Sequence, residues 1–469
     1  MSVIKVRNMN KKTTIILIVI LLSILGGSAY WYYTNKSVEI VPVSDFPGAS
    51  GTRAGVSDPI YEGGTYEEDV TFVPGSGVSL PRLYELHKAP VAGAGFFETK
   101  NKKGLVTDTT VRYIERGLGH IYETELGTYS ESRIVNETRS QIGEALWGNN
   151  GKSVVVRFVD DSEDGAIKTR ILNIGSSPVS FARGTSTESI PTNFLKTEEV
   201  YLPDFISFMS ITEDGADKLF YLVGGSGSTV TFKDTGVSKI FSSAFTEWLP
   251  QFPNQKLVTL TTKPSANIPG HMFFLNTGTK AVTKILGNIK GLTTLTSRDG
   301  KLVLYSETKG SVPELSVYDT TKNEFRYLYL QTLPEKCTWS LKKTNIVYCA
   351  VPQTIPSAIY PDQWYQGLVS FSDDIWEIDA NTLITRKIMT PRTLGAPVLD
   401  MINLSISSDS MYLIFMNKIS GTPWLYSFLE ATPTKVATPQ ATQTTPPTET
   451  EQSSTAPSSV VTPDMQKLK

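Results

Sequence analysis

The residues able to do chemistry in this chain are few and scattered. His87, His120 and His271 are its three histidines, and no two of them share a spacing that would put two ligands on one face of an element. No G-x-S-x-G, H-E-x-x-H, phosphate-loop or C-x-x-C pattern occurs, so the commonest hydrolase, zinc, nucleotide and thiol-redox signatures are absent. Each histidine therefore reads first as a polar side chain satisfied within the fold. Asp160, Asp161, Glu163 and Asp164 crowd four carboxylates before Gly165, an oxygen-rich set of the kind calcium takes. They lack the alternating spacing of a calcium loop, which leaves a solvated hairpin as the plainer reading. Asp373 and Asp374 admit a reading as paired acid and base, but they also open a run carrying Ile375 and Ile378 that looks like a strand. No catalytic residue, metal ligand or cofactor is assigned.

Two other sets stand out. Cys337 and Cys349 are symmetric about residue 343, where a hairpin turn is expected, so antiparallel pairing sets them opposite each other at close to disulfide range. A cross-strand disulfide is the leading expectation, with two buried thiols or a metal or redox pair as the alternatives. The second set is Tyr360, Trp364 and Tyr365, in a segment around 351–372 stiffened by Pro352, Pro356 and Pro361. Large aromatics on a stiff loop give contact area at low entropic cost, which makes these three a candidate binding loop; the alternative is that the rings pack down onto the domain beneath.

The elements that must position these residues are strands. Between about 81 and 430 the apolar residues are Val, Ile, Phe, Tyr and Leu in short runs bounded by Gly, Asn, Asp and Thr, without a sustained helical period. The hairpin LTSRDGKLVLYS at 295–306 recurs as WSLKKTNIVYCA at 339–350, and related hairpins lie at 145–158, 208–222, 248–260 and 404–415. Several are followed by a third strand ending at Asp or Asn and then a fourth, the unit of a propeller blade. The units are 90–136, 141–181, 200–241, 245–286, 289–330, 334–389 and 397–429, so an all-β propeller of about seven four-stranded blades is expected, with six or eight as alternatives. The aromatic loop is an insertion in the sixth unit, since the first hairpins of units five and six are 44 residues apart and their third strands 60.

Through SRDGKLVLY at 297–305 and YDTTKN at 318–323 the chain resembles the TolB-like and WD40-like β-propellers of bacteria. It is also similar to single-pass propeller proteins of candidate-phyla bacteria in PVAGAGFF (90–97), VRYIERGLGHIYE (111–123) and PEKCTWS (334–340). The paired Gly-His and Trp-Asp of eukaryotic WD40 repeats are missing: Gly119-His120 has no matching Trp-Asp, and neither has Gly270-His271. The resemblance implies the fold and leaves function open.

The ends differ from the middle. Residues 1–12 are basic, and 13–33 are apolar with a closing Tyr30-Trp31-Tyr32-Tyr33, long enough at about 1.5 Å per residue to cross a bilayer. Charge bias places 1–12 in the cytoplasm and the domain outside, with 13–33 as transmembrane anchor or, alternatively, as a cleaved signal peptide. Residues 34–80 read as a linker. Residues 431–469 form a Thr/Pro/Ser-rich tail whose first 33 residues have no aromatic, Leu or Ile, and such a tail buries too little to fold. With 44 Lys+Arg against 46 Asp+Glu the chain has no field for nucleic acid. The expectation is a membrane-anchored extracytoplasmic propeller acting as a protein- or glycan-binding scaffold of the cell envelope. The alternative is an envelope enzyme, a glycan hydrolase or lyase with carboxylates in the channel. Three or more acidic or Arg side chains at a channel mouth would favour the enzyme.

Overall fold

The computed structural model describes residues 80–429 except 161–164, 183–188, 214–216 and 234–235. The expected anchor at 13–33, the linker up to residue 79, the tail and most of the 160–165 carboxylate cluster lie outside the described residues. Among the described residues no helix is long and apolar enough to cross a membrane.

Among the described residues twenty-eight strands form seven four-stranded antiparallel sheets. A short strand, β1 (Leu83–Glu85), comes first. Blade one is β2–β5 (Val91–Lys100, Val106–Glu115, Ile121–Glu125, Glu131–Val135), and blade two is β6–β9 (Ile142–Gly148, Ser153–Asp160, Ala166–Ala182, Ser189–Tyr201). Blade three is β10–β13 (Ile206–Ile211, Lys218–Val223, Ser226–Thr231, Ser238–Ser242), and blade four is β14–β17 (Trp248–Asn254, Leu257–Thr262, Pro269–Asn276, Val282–Lys290). Blade five is β18–β21 (Thr293–Thr296, Leu302–Lys309, Val312–Asp319, Glu324–Tyr327), and blade six is β22–β25 (Cys337–Trp339, Ile346–Pro352, Asp373–Asp379, Thr385–Met389). Blade seven has only β26–β28 (Met401–Ile406, Tyr412–Asn417, Pro423–Ser427) from the C-terminal end. Its fourth strand is β1, paired with β28 in the register Leu83↔Tyr426, Tyr84↔Leu425, Glu85↔Trp424.

Two unit boundaries are thereby corrected. Unit seven is not confined to 397–429, because its outer strand is drawn from the other end of the chain. Unit two does not end at Phe181, because β9 runs on to Tyr201 and takes Val200 with it.

The ring closes through its core. Each of the seven contacts between neighbouring blades has its own buried apolar cluster, and the cluster joining blade seven to blade one holds Leu425, Ile414 and Met416 against Val91, Val111 and Tyr113. The second strand of a blade serves two such clusters. On β7 Val154 and Val156 face blade one while Val155 faces blade three; on β27 Leu413 and Phe415 face blade six while Ile414 and Met416 face blade one. Side chains alternate faces along a strand, and both faces here are dry, so these strands read as unbroken hydrophobic runs.

The turns follow from local polar chemistry. In the hairpin at 297–300 the Ser297 hydroxyl donates to Asp299 Oδ1 at 2.8 Å, Lys301 N donates to the same oxygen at 3.1 Å, and Gly300 takes φ 74°. Asp319 accepts from Thr321 Oγ1 at 2.7 Å and from the backbone of Thr321 and Lys322, and Asp379 accepts from Asn381 N at 2.8 Å in the matching turn of blade six.

Candidate functional site

The innermost strands of the blades surround a channel with a cavity of about 700 Å³. Its wall includes Phe96, Trp147, Trp339 and Leu404, and one rim is made by the turns that follow the inner strands: Asn149–Gly151, Arg298, Leu341 and Ser408. Close inner packing needs small residues on β2, since a Cβ on Gly93 would lie 2.1 Å from the carbonyl oxygen of Ala145 and one on Gly95 2.4 Å from Trp147 Cβ. The two tryptophans repeat one device. The indole of Trp147 donates to Gly93 O at 3.1 Å, and that of Trp339 to Leu295 O at 3.3 Å, each tying its inner strand to that of the preceding blade.

The rim is polar. Asn149, Asn150 and Gly151 all have positive φ, and Asn150 holds Glu98 by a reciprocal pair, Glu98 N to Asn150 Oδ1 at 3.2 Å and Asn150 Nδ2 to Glu98 O at 2.7 Å. The Glu98 carboxylate, almost fully buried, accepts from Ser408 N at 2.6 Å and from the Ser408 hydroxyl, with Lys100 Nζ at 3.6 Å. It fastens blade seven to blade one. Glu213 and Arg298 line the same cavity, and among the described residues no acid pairs with the Arg298 side chain. Glu98, Glu213 and Arg298 thus bring three acidic or arginine side chains to one mouth.

The opposite face carries the insertion of blade six. Residues 353–372 join β23 to β24, contain the single-turn helix α1 (Asp362–Tyr365), and cross four blades as a strap. Ala266 N of blade four donates to Asp362 Oδ2 at 2.8 Å, Thr308 Oγ1 of blade five to Tyr360 O at 2.8 Å, and Lys418 Nζ of blade seven to Trp364 O at 2.8 Å. In blade six the Tyr365 hydroxyl donates to Glu335 Oε1, and burial pushes the Glu335 carboxyl up in pKa. The structure places Tyr360 and Trp364 inside, in a small core with Leu333 and Phe371, and leaves Tyr365 41% exposed. Two of the three candidate rings therefore pack down onto the propeller and hold the strap.

Beneath the strap lies a cluster that sequence reasoning missed. Lys336, Asp373 and Asp400 are each 0% exposed. Lys336 Nζ donates to Asp400 Oδ1 at 2.5 Å, Asp373 Oδ2 at 2.8 Å and Met401 O at 2.9 Å, spending all three protons. Asp400 Oδ2 accepts from the Trp364 indole at 3.0 Å and from Phe371 N at 3.1 Å. Burial, opposed by Lys336, pushes Asp373 up to about 6, and its Oδ1 has no hydrogen-bond partner. The only hint in sequence is Asp400 standing alone between Leu399 and Met401.

The remaining sequence candidates fall as follows. Cys337 and Cys349 are paired opposite each other on β22 and β23, with Cα atoms 4.0 Å apart, and form the disulfide. Asp373 and Asp374 do open a strand, and they point to opposite faces, Asp373 to Lys336 and Asp374 to Gln353 Nε2 at 2.8 Å and Lys387 Nζ at 3.2 Å. His87 Nδ1 lies 2.6 Å from Glu131, His120 Nε2 3.2 Å from Thr138 Oγ1, and His271 Nδ1 accepts from Asn288 N at 3.3 Å. Among the described residues no three His, Cys, Asp or Glu side chains gather as a metal ion would require.

This geometry defines a seven-bladed β-propeller with a shared closing blade and one strapped face. The chain matches no protein-family model and no curated protein. Among solved structures it is similar to an oligogalacturonate lyase in complex with manganese, at 10% identity over 75% of this chain and 94% of that one, with a TM-score of 0.47. An oligogalacturonate lyase from Vibrio parahaemolyticus gives 10% identity over 74% and 94%, TM-score 0.48, and the Kuenenia stuttgartiensis hydrazine synthase 12% over 73% and 97%, TM-score 0.43.

Proposed function

We propose that the chain is a binding module of the cell envelope, tethered through residues 13–33 with its propeller outside the cytoplasm, that takes a protein segment or glycan at the open channel mouth. The observation that carries this reading is the state of the mouth's charges. Glu98 spends its carboxylate on Ser408 and is built into the fold, whereas Arg298 lines the same cavity as Asn149, Asn150 and Leu341 and has no acidic partner among the described residues. A free guanidinium among amides and apolar walls is a recognition set, and a carboxylate locked in structural hydrogen bonds is poorly placed to move a proton. The disulfide supports an oxidising compartment.

One observation favours the envelope enzyme instead: Glu98, Glu213 and Arg298 share the cavity, the number of such side chains expected of it. A single experiment separates the two. The purified full-length chain is incubated with fractionated envelope protein and polysaccharide, and both retained material and released fragments are measured. A retained complex that Arg298→Ala weakens about tenfold or more is the expected result. Steady release of glycan fragments, abolished by Glu213→Gln, would replace the binding reading with the enzymatic one.

A further inference from the structure

Away from the channel, two cavities of about 530 and 450 Å³ meet on the outer rim where blade five abuts blade six. Both are lined by Val351 and Pro352, so they form one groove running from the end of β21 to the outer strands of blade six. Its size is that of a site for a small molecule or a short oligomer.

The groove presents aromatic rings to water. Tyr329 is 93% exposed and has φ 56°, a left-handed backbone that a bulky side chain enters only under strain. Tyr327, two residues earlier, is 47% exposed, with Lys309 Nζ 4.5 Å from its ring centroid. A fold that holds a strained tyrosine almost wholly in solvent gains no stability from the ring, so the ring is available for a ligand.

The charges of the groove are already matched. Lys309 pairs with Glu314 at 2.9 Å and Glu307 at 3.7 Å, and Asp374 pairs with Lys387 at 3.2 Å while accepting from Gln353. An ionic ligand would have to break these pairs. Hydroxyl groups need not, because each donates and accepts and can join a paired carboxylate, ammonium or amide.

We propose that this rim groove binds a neutral oligosaccharide, with Tyr327 and Tyr329 stacked on the C–H faces of sugar rings and Gln353, Asp374 and Lys387 meeting their hydroxyls. The site is distinct from the channel mouth and stands or falls separately from the function proposed for it. A charged peptide fits less well, since the groove offers no unpaired counter-charge among the residues named.

The test is titration calorimetry of the full-length chain, in a detergent without a sugar headgroup, against neutral hexamers of glucose, N-acetylglucosamine, mannose and xylose and against an alginate hexamer. Binding of at least one neutral hexamer is expected. Tyr329→Ala and Tyr327→Ala should each weaken it about tenfold or more, while Tyr329→Phe and the channel variant Arg298→Ala leave it in place. Both tyrosines are exposed, and circular dichroism of the alanine variants checks that the sheets persist. Failure of every neutral hexamer to bind, binding indifferent to both alanine variants, or preference for the alginate hexamer overturns the proposal.

Discussion

Lys336 carries a positive charge to a place without water and survives there because two carboxylates and a carbonyl take its three protons. Replacing it with methionine keeps much of the volume but strands Asp373 and Asp400 as buried charges. Lys336→Met should therefore cost about 3–5 kcal/mol in equilibrium unfolding, more than most single substitutions. Asp373 gives a different signature. Its pKa in the fold, about 6, lies above the ordinary 3.8, so the folded protein holds this proton more tightly than the unfolded chain does. The stability this group contributes is complete below about pH 4 and is lost as pH rises through about 6. Asp373→Asn, which resembles the protonated form at every pH, should remove that loss; the gap between variant and wild-type denaturation midpoints should move in the variant's favour from about pH 4 to about pH 7. A gap constant over that range would show that Asp373 does not titrate there. Among the buried contacts of blade six the cysteine pair was legible in advance, because Cys337 and Cys349 face each other across a single turn and local symmetry reveals them. Lys336 and Asp400 are 64 positions apart and meet only when blades six and seven dock, which no local pattern encodes.

Strands and turns write their own rules into short stretches, and for that reason most elements could be read directly. Ser297, Asp299 and Gly300 form their hairpin with one another, and Asp319 and Asp379 each cap their own turn. The element that escaped was β1, three residues long and separated from its partner by the whole propeller. Its contribution is nonetheless specific: Leu83 is buried in the cluster between blades six and seven, Tyr84 stacks on Tyr129 at 4.4 Å, and Arg82 O accepts from Ser427 N at 2.7 Å. Tyr84→Pro would remove a backbone donor and the stacked ring in one change, although an outer strand tolerates proline better than an inner one. A loss of about 2–3 kcal/mol in unfolding free energy is expected, together with concentration-dependent association through the bared edge of β28, read by light scattering. An unchanged midpoint and a monomeric profile would mean that three strands suffice to finish blade seven.

At the scale of the whole molecule the first and last described strands lie side by side, since β1 pairs with β28 in blade seven. The disulfide of blade six bears on the compartment in which the chain folds. Cys349 is fully buried and Cys337 nearly so, so once formed the bond is shielded from solvent reductant, and once excluded in a reducing compartment it should stay open. Orientation can therefore be read from thiol chemistry in cells. Cells making the full-length chain, and cells making a chain without residues 1–36, are quenched in acid, denatured, and treated with a thiol-alkylating reagent before and after reduction. The full-length chain should take up two alkyl groups only after reduction, whereas the shortened chain, retained in the cytoplasm, should take them up at once. Equal labelling of both without reduction would place the propeller in the cytoplasm and remove the compartmental basis of the proposed envelope role. Equal protection of both would show that the fold drives the bond regardless of compartment, leaving the disulfide silent on location.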